Sequence, residues 1–174
     1  LNINSVYAIS EDPDNNIWIG YADGTFSIFD GNNFNHFHNT EIEFPGPIYS
    51  MQFDKNGYVW YSDFGNGIVK YKEGNSKLYS APEYLPANTV VSLNIDNDNA
   101  IWAGTNKGIA LYKENHWKRY NTQSGLISNE ATYNSGYVDK NGNFWIGTMR
   151  GAVKFVNVKN IKPHPAPPVY ITRF

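Results

Sequence analysis

The sequence predicts an all-β chain of four β-propeller blades, each with four antiparallel strands. The main observation is a repeat in which tryptophans recur at intervals of 42, 42 and 43 residues. The surrounding phrases read DPDNNIWIG, DKNGYVWYS, DNDNAIWAG and DKNGNFWIG, and repeats of roughly 40 to 50 residues made of short strands are typical of propeller blades. A second observation is an aromatic content of 16%, which favours strands. The third is that no segment shows sustained helical periodicity. The marker residues are Trp18, Trp60, Trp102 and Trp145.

Each repeat reads as four strands joined by short turns. The first strand alternates, as in Tyr49, Met51 and Phe53. An aspartate six residues before each tryptophan then opens a cluster of Asp, Asn and Gly, which predicts a hairpin turn because these residues tolerate left-handed backbone angles. The second strand contains the tryptophan, the third ends in an aromatic residue, and the fourth precedes the link to the next repeat. This order matches a propeller blade.

The repeats place the blades at about 1–47, 48–89, 90–129 and 130–157, so that blades occupy residues 1–157. Residues 158–174 form a proline-rich tail, and the fourth repeat lacks an obvious fourth strand before it. Four blades are at the low end for a closed ring. We therefore expect a partial, open propeller, with a compact four-bladed ring as the alternative.

The repeated tryptophan is interpreted as a structural residue. A large ring at the same strand position in every blade is suited to wedging between neighbouring sheets. The glycine or serine two residues later shares its face and is expected to leave it room.

Composition excludes several classes of function. The net charge of −2 provides no basic stripe for nucleic acid, and the short apolar stretches predict no direct membrane insertion by this chain. The absence of cysteine excludes disulfides, thiolate metal sites and a cysteine nucleophile.

No catalytic residue, metal site or cofactor is predicted. The aspartate turns resemble calcium loops, but loop position twelve, where an EF-hand needs glutamate, holds Asp23, Gly65, Lys107 or Arg150. His36 and His38 lie two apart on a strand without a third ligand nearby. The chain has neither a G-x-S-x-G elbow nor a phosphate loop. Acids from different blades could still converge, so a catalytic carboxylate pair stays open as an alternative.

Ligand-binding candidates lie on one face of the propeller. The links between blades and the turns joining second to third strands share this face. Its candidates are Phe64, Asn66, Tyr84, Met149 and Arg150. Aromatic rings could stack on sugars, while Asn66 and Arg150 could bond hydroxyls or an acidic group. The alternative is that these side chains only pack the loops together.

The repeated phrase resembles the two-component regulator propeller repeat. The resemblance rests on D-x-x-G-x-[IVF]-W-[IA]-G-T, then G-[IV]-x-x-[YF], and on links such as Leu85-Pro86-Ala87-Asn88. It covers residues 1 to about 157, and the tail resembles the start of the Ig-like domain that follows such propellers. The second repeat departs from the pattern at Tyr61-Ser62 and has an extra residue before Gly67. The fourth carries Asn134 and Gly136 where its siblings have apolar residues.

The resemblance implies a function for the chain. Such propellers form the sensor region of hybrid two-component systems of Bacteroidetes, ahead of a transmembrane helix and a histidine kinase. We therefore expect a non-catalytic, periplasmic sensor fragment that responds to a glycan-derived signal. The expected partners are an oligosaccharide or other small ligand, the remaining blades of the parent chain and a second copy in a homodimer. A polysaccharide lyase or glycosidase and a protein-interaction scaffold are the alternatives.

Overall fold

The chain forms four four-stranded antiparallel sheets, which confirms the predicted fold class. The computed structural model describes residues 5–38, 45–156 and 169–171, the last for the backbone alone. The first blade contains β1 (Val6–Glu11), β2 (Ile17–Tyr21), β3 (Phe26–Phe29) and β4 (Phe34–Phe37). The second contains β5 (Met51–Phe53), β6 (Val59–Asp63), β7 (Gly67–Lys72) and β8 (Asn75–Tyr79).

The third and fourth blades repeat this order. The third contains β9 (Val90–Ile95), β10 (Ile101–Thr105), β11 (Gly108–Lys113) and β12 (His116–Tyr120), followed by a short 3-10 helix, Thr122–Ser124. The fourth contains β13 (Ala131–Val138), β14 (Phe144–Thr148), β15 (Gly151–Phe155) and β16 (Val169–Ile171). Within the described part of the chain, no helix is long and apolar enough to cross a membrane.

The last strand differs from the sequence-based domain assignment. β16 comes from the segment assigned to the tail and Ig-like domain, yet it pairs antiparallel with β15, with Phe155 opposite Val169. It supplies the outer strand that the fourth repeat lacked, because β15 would otherwise leave its backbone N–H and C=O groups unpaired on that side. Residues 157–168 and 172–174 lie outside the described part of the chain.

The aspartate turn is built in the same way in all four blades. One carboxylate oxygen accepts backbone N–H bonds from the residues two and four positions later. The other oxygen accepts the indole Nε1–H six positions later, at 2.9 to 3.0 Å. Asn15, Gly57, Asn99 and Gly142 adopt the left-handed conformation. The aspartates are therefore hydrogen-bonded within their own turns, and no calcium ligand set is needed to explain them.

Three apolar clusters join the blades in sequence, one for each pair of neighbours. The tryptophan of one blade contacts rings of the next: Trp18 lies 5.3 Å from Phe53, Trp60 lies 5.1 Å from Tyr112, and Trp102 lies 4.6 Å from Phe144. These centroid distances are typical of packed aromatic pairs. The same indole thus hydrogen-bonds within its blade and packs against its neighbour.

The small residue two positions after the tryptophan leaves space for a side chain of the next blade. A Cβ on Gly20 would lie 2.7 Å from Ile48 Cγ2, and one on Gly104 would lie 2.6 Å from Ile146 Cδ1. The space expected to accommodate the tryptophan is occupied instead by an isoleucine of the following blade.

The outer faces of the first and fourth blades are exposed. Ile9 and Phe34 of the first blade are 68% and 53% exposed, and Tyr137 of the fourth is 66% exposed. Trp145 is half-buried, and its ring is contacted by Lys154 of its own blade, with Nζ 5.0 Å from the ring centroid. Among the described residues, no apolar cluster joins these two blades. The blades form an arc, as expected for a partial propeller.

Candidate functional site

Four aromatic side chains meet on the face that carries the blade-to-blade links. Tyr49 stacks on Tyr7 at 4.8 Å between ring centroids and makes edge contacts with Phe64 at 5.0 Å and Tyr133 at 5.3 Å. Tyr7 and Tyr133 are 44% and 57% exposed. We call these four residues the central aromatic cluster. They come from the first, second and fourth blades, so the arrangement exists only when the blades are assembled.

The inner strands of all four blades line a cavity of about 260 Å³ that includes Tyr7 and Tyr49. Its polar lining comes from Ser50, Gln52, Ser92, Asn94 and Asn134, and no lining residue carries a charge. Some of these groups already bond one another: Leu93 N–H donates to Ser50 Oγ at 3.1 Å, and Asn94 Nδ2 donates to Ser92 Oγ at 3.1 Å. Hydroxyl and amide groups beside aromatic rings are suited to an uncharged, polar ligand.

The fourth blade reaches this cavity through an irregular inner strand. The register of β13 on β14 shifts between Ala131 and Gly136, and Asn134 adopts a left-handed φ of 45°. Asn134 Nδ2 donates to the carbonyl of Tyr49 at 3.3 Å. A Cβ on Gly136 would lie 1.9 Å from Asn94 Nδ2, so a larger residue here would displace the Asn94 side chain. The irregular strand accounts for the repeat interval of 43 residues and for both departures noted at Asn134 and Gly136.

The five sequence candidates do not form one site. Phe64 joins the central aromatic cluster, whereas Asn66 donates from Nδ2 to Asp63 at 2.9 Å. Tyr84 packs edge-on against Tyr79 at the rim, away from the cavity. Met149 and Arg150 are exposed on the turn between β14 and β15 and do not line the cavity.

Sequence reasoning missed three of the four residues in the cluster. A signal was present, because tyrosine stands eleven residues before the tryptophan in the first two repeats and twelve before it in the fourth. The third repeat has Val91 at this position, and it is buried. Tyr7 and Tyr133 were therefore predictable from repeat alignment, but their contact with Tyr49 depends on how the blades are arranged in space.

Asp63 is a buried carboxylate beneath the loop face. Its Oδ1 accepts from Gly46 N–H at 2.5 Å and from Asn66 Nδ2 at 2.9 Å, while Oδ2 has no hydrogen-bond partner in the described structure. Burial raises the pKa of this carboxyl, and the two hydrogen bonds oppose that rise only in part. Because Gly46 and Asn66 belong to neighbouring loops, Asp63 holds those loops together.

The cavity offers little for acid–base chemistry. Its lining contains no aspartate, glutamate or histidine. Burial, together with Tyr7 and Tyr133, raises the pKa of Tyr49, so its phenol stays protonated at neutral pH. Within residues 5–38 and 45–156, no group of three or more potential ligands could hold a metal ion. His36 accepts or donates one bond to Ser27 Oγ at 3.0 Å, on the outer part of the first blade.

Comparison with known proteins places these features in the context of β-propellers. The family model described as two component regulator propeller matches residues 1–23 and 84–107. This match confirms the resemblance noted in the sequence over these two segments. No curated protein matches the chain.

Several solved structures share the fold. The extracellular domain of BT3049 from B. thetaiotaomicron, assigned as a hybrid two component system, is 23% identical over 90% of this chain and 22% of its own, with a TM-score of 0.77. That of BT4673 from the same organism is 21% identical over 88% of this chain and 22% of its own, with a TM-score of 0.69. Virginiamycin B lyase from Staphylococcus aureus is 16% identical over 90% of this chain and 53% of its own, with a TM-score of 0.71. The chain thus spans about a fifth of the first two proteins and about half of the third.

Proposed function

We propose that the chain is a non-catalytic, ligand-binding fragment of an extracytoplasmic sensor in a two-component signalling receptor. The observation that carries the proposal is the central aromatic cluster over a cavity lined by the inner strands of all four blades. The match to two component regulator propeller repeats and the fold shared with extracellular domains of hybrid two component systems support it. The location that we propose is extracytoplasmic, in the periplasm, and the fold shared with extracellular domains supports it.

The ligand that we propose is a neutral, glycan-derived molecule. Sugar rings present C–H faces that pack on aromatic rings, and hydroxyls that bond to serine and asparagine side chains. Tyr7 and Tyr133 expose enough ring surface to take part, and the cavity lining is uncharged. In this proposal, bound ligand would change contacts between blades and pass that change to downstream domains.

A thermal-shift screen of the complete ectodomain against a panel of neutral oligosaccharides tests the proposal. We expect at least one sugar to raise the melting temperature without release of product, because binding to the folded state stabilises it. Tyr49→Ala and Tyr133→Ala should abolish that rise, whereas Met149→Ala, an exposed residue outside the cavity, should preserve it.

Two results would contradict the proposal. Turnover of a sugar, seen as new reducing ends or unsaturated products, would instead support a propeller lyase or glycosidase. A rise in melting temperature that persists in both tyrosine variants would mean that the sugar binds outside the central cavity.

A further inference from the structure

The rim of the arc carries a second cleft, between the outer strands of the second and third blades. It encloses about 490 Å³ and is separate from the loop-face cavity. We call it the rim cleft. Its aromatic lining consists of Tyr58, Tyr79, Tyr84, Tyr112 and Trp117. Its volume falls within the range of ligand sites in proteins.

The aromatic rings form a continuous wall. Trp117 lies 5.2 Å from Tyr79 and 5.0 Å from Tyr112, and Tyr84 lies 5.2 Å from Tyr79. Tyr79 is buried behind this wall, whereas Tyr58, Tyr84, Tyr112 and Trp117 are half-buried. The four half-buried rings therefore expose surface to a ligand, while the ring of Tyr79 is covered.

Two lysines give the rim cleft a positive charge. Lys70 Nζ lies 3.9 Å from the ring centroid of Tyr58, and Lys77 Nζ lies 5.0 Å from that of Tyr79. No lining residue is acidic. The ion pair found in the described part of the chain joins Lys113 to Asp98 and involves neither lysine. Glu83 bonds the hydroxyl of Tyr84 but does not line the cleft.

Some lining residues depart from the repeat. The position of Tyr58 holds Asn16, Ala100 and Asn143 in the other blades. Trp117 pairs with Tyr112 where the second blade has Ser76 and the first has Phe34. Of the four blades, only the second has a ring at the position of Tyr58, so that ring is an addition to the repeat at this inter-blade boundary.

From these observations we propose that the rim cleft binds an oligosaccharide bearing carboxylate or sulfate groups. The exposed rings would stack on sugar faces, and the two lysines would pair with the anionic groups. Tyr112 donates its hydroxyl to Asn115 Oδ1 at 2.7 Å, which orients the amide nitrogen of Asn115 as a further donor. No aliphatic side chain lines the cleft, which disfavours a peptide that binds through apolar side chains.

This second site is independent of the proposed sensor function. It shares no lining residue with the central cavity, and its ligand is anionic and not neutral. The test of one proposed site therefore does not depend on the test of the other.

The test is a binding assay of the 174-residue chain against a panel of uronate-bearing and sulfated oligosaccharides with their neutral counterparts. We expect binding of at least one acidic sugar, weakened by added salt because the lysines are exposed or half-buried. The double variant Lys70→Gln/Lys77→Gln should raise its Kd by about tenfold or more. Trp117→Ser, which introduces the residue of the second blade, should weaken binding by a similar factor.

The chain offers matched controls. Lys154 Nζ lies 5.0 Å from the ring centroid of Trp145, as Lys70 Nζ lies 5.1 Å from that of Trp60. Lys118 Nζ lies 5.1 Å from the ring centroid of Tyr120, as Lys77 Nζ lies 5.0 Å from that of Tyr79. The variant Lys118→Gln/Lys154→Gln carries the same charge change outside the cleft and should keep Kd within about twofold.

Three outcomes would overturn the proposal. The first is no binding of any acidic sugar, and the second is equal binding of the neutral counterparts. The third is equal weakening by the control lysine pair, which would show a general charge effect and no site at the rim.

Discussion

Trp102 and Trp145 occupy the same position in consecutive repeats but have different surroundings. Both donate their indole N–H to the aspartate six residues earlier, at 2.9 and 3.0 Å. Trp102 is 7% exposed against Phe144 and Phe155 of the next blade. Trp145 is half-buried and contacts Lys154 of its own blade. The repeated phrase therefore specifies the turn and the hydrogen bond, while burial of the ring requires a neighbouring blade.

The largest expected effect separates these two tryptophans. Trp102→Ala should lower the free energy of unfolding by about 3–5 kcal/mol, because it removes a buried ring from a packed cluster. Trp145→Ala should cost only about 1 kcal/mol, since less apolar area is lost from a half-exposed site. Urea denaturation followed by circular dichroism measures both. Equal losses would mean that the face of Trp145 is covered in solution.

The second expected effect tests the close contact between the third and fourth blades. Gly104→Ala should destabilise the chain by about 1–3 kcal/mol, because the new Cβ meets Ile146 at 2.6 Å. Ile146→Val removes the terminal methyl in that contact. The double variant should therefore lose less stability than the sum of the single variants, measured by the same denaturation. Strict additivity would show that this contact is not the cause.

A third prediction uses pH to test the hydrogen bond between Trp145 and Asp139, at a tryptophan that does not pack against a following blade in the described part of the chain. The bond from Trp145, followed by that from Asn143, lowers the pKa of Asp139 from its ordinary value of 3.8. A carboxyl with a depressed folded-state pKa stabilises the protein above its unfolded pKa and loses that contribution as pH falls. The melting temperature should therefore drop between about pH 4 and pH 2.

Asp139→Asn should reduce this drop, because the side chain no longer titrates. Asp14→Asn changes an exposed aspartate in the equivalent turn of the first blade, whose tryptophan pairs with Asp12, and it is the control. Identical pH profiles for Asp139→Asn and the unmodified chain would show that the hydrogen bond between Asp139 and Trp145 does not contribute to stability.

The smallest expected effect on stability concerns the first blade. Ile9→Lys should change the free energy of unfolding by no more than about 0.5 kcal/mol, because Ile9 is 68% exposed. It should nevertheless reduce self-association in sedimentation velocity, since the exposed apolar faces of the end blades are suited to pairing between copies. Asn32→Lys, on an exposed turn of the same blade, should leave association unchanged. Association that is equal in all three proteins would exclude this face from the proposed homodimer.

The repeat predicted local structure well because hairpin geometry is encoded within a few residues. The second strand of each repeat, predicted to contain the tryptophan, is present as β2, β6, β10 and β14. The site was less accessible to sequence reasoning. Tyr133 reaches Tyr49 because the first part of β13 leaves its register, and no local pattern encodes a contact between the second and fourth blades. β16 was missed for a similar reason, because three residues that follow a proline-rich stretch resemble a tail until a strand edge is available to them.

The hydrogen bond from Asn134 to the carbonyl of Tyr49 joins the second and fourth blades at the centre of the arc. A molecule bound between Tyr49 and Tyr133 would therefore contact both blades at once. The fourth blade runs outward from this point as β13, β14, β15 and β16. Because β16 is hydrogen-bonded to β15, the strand Val169–Ile171 is connected to the aromatic cluster through a single sheet.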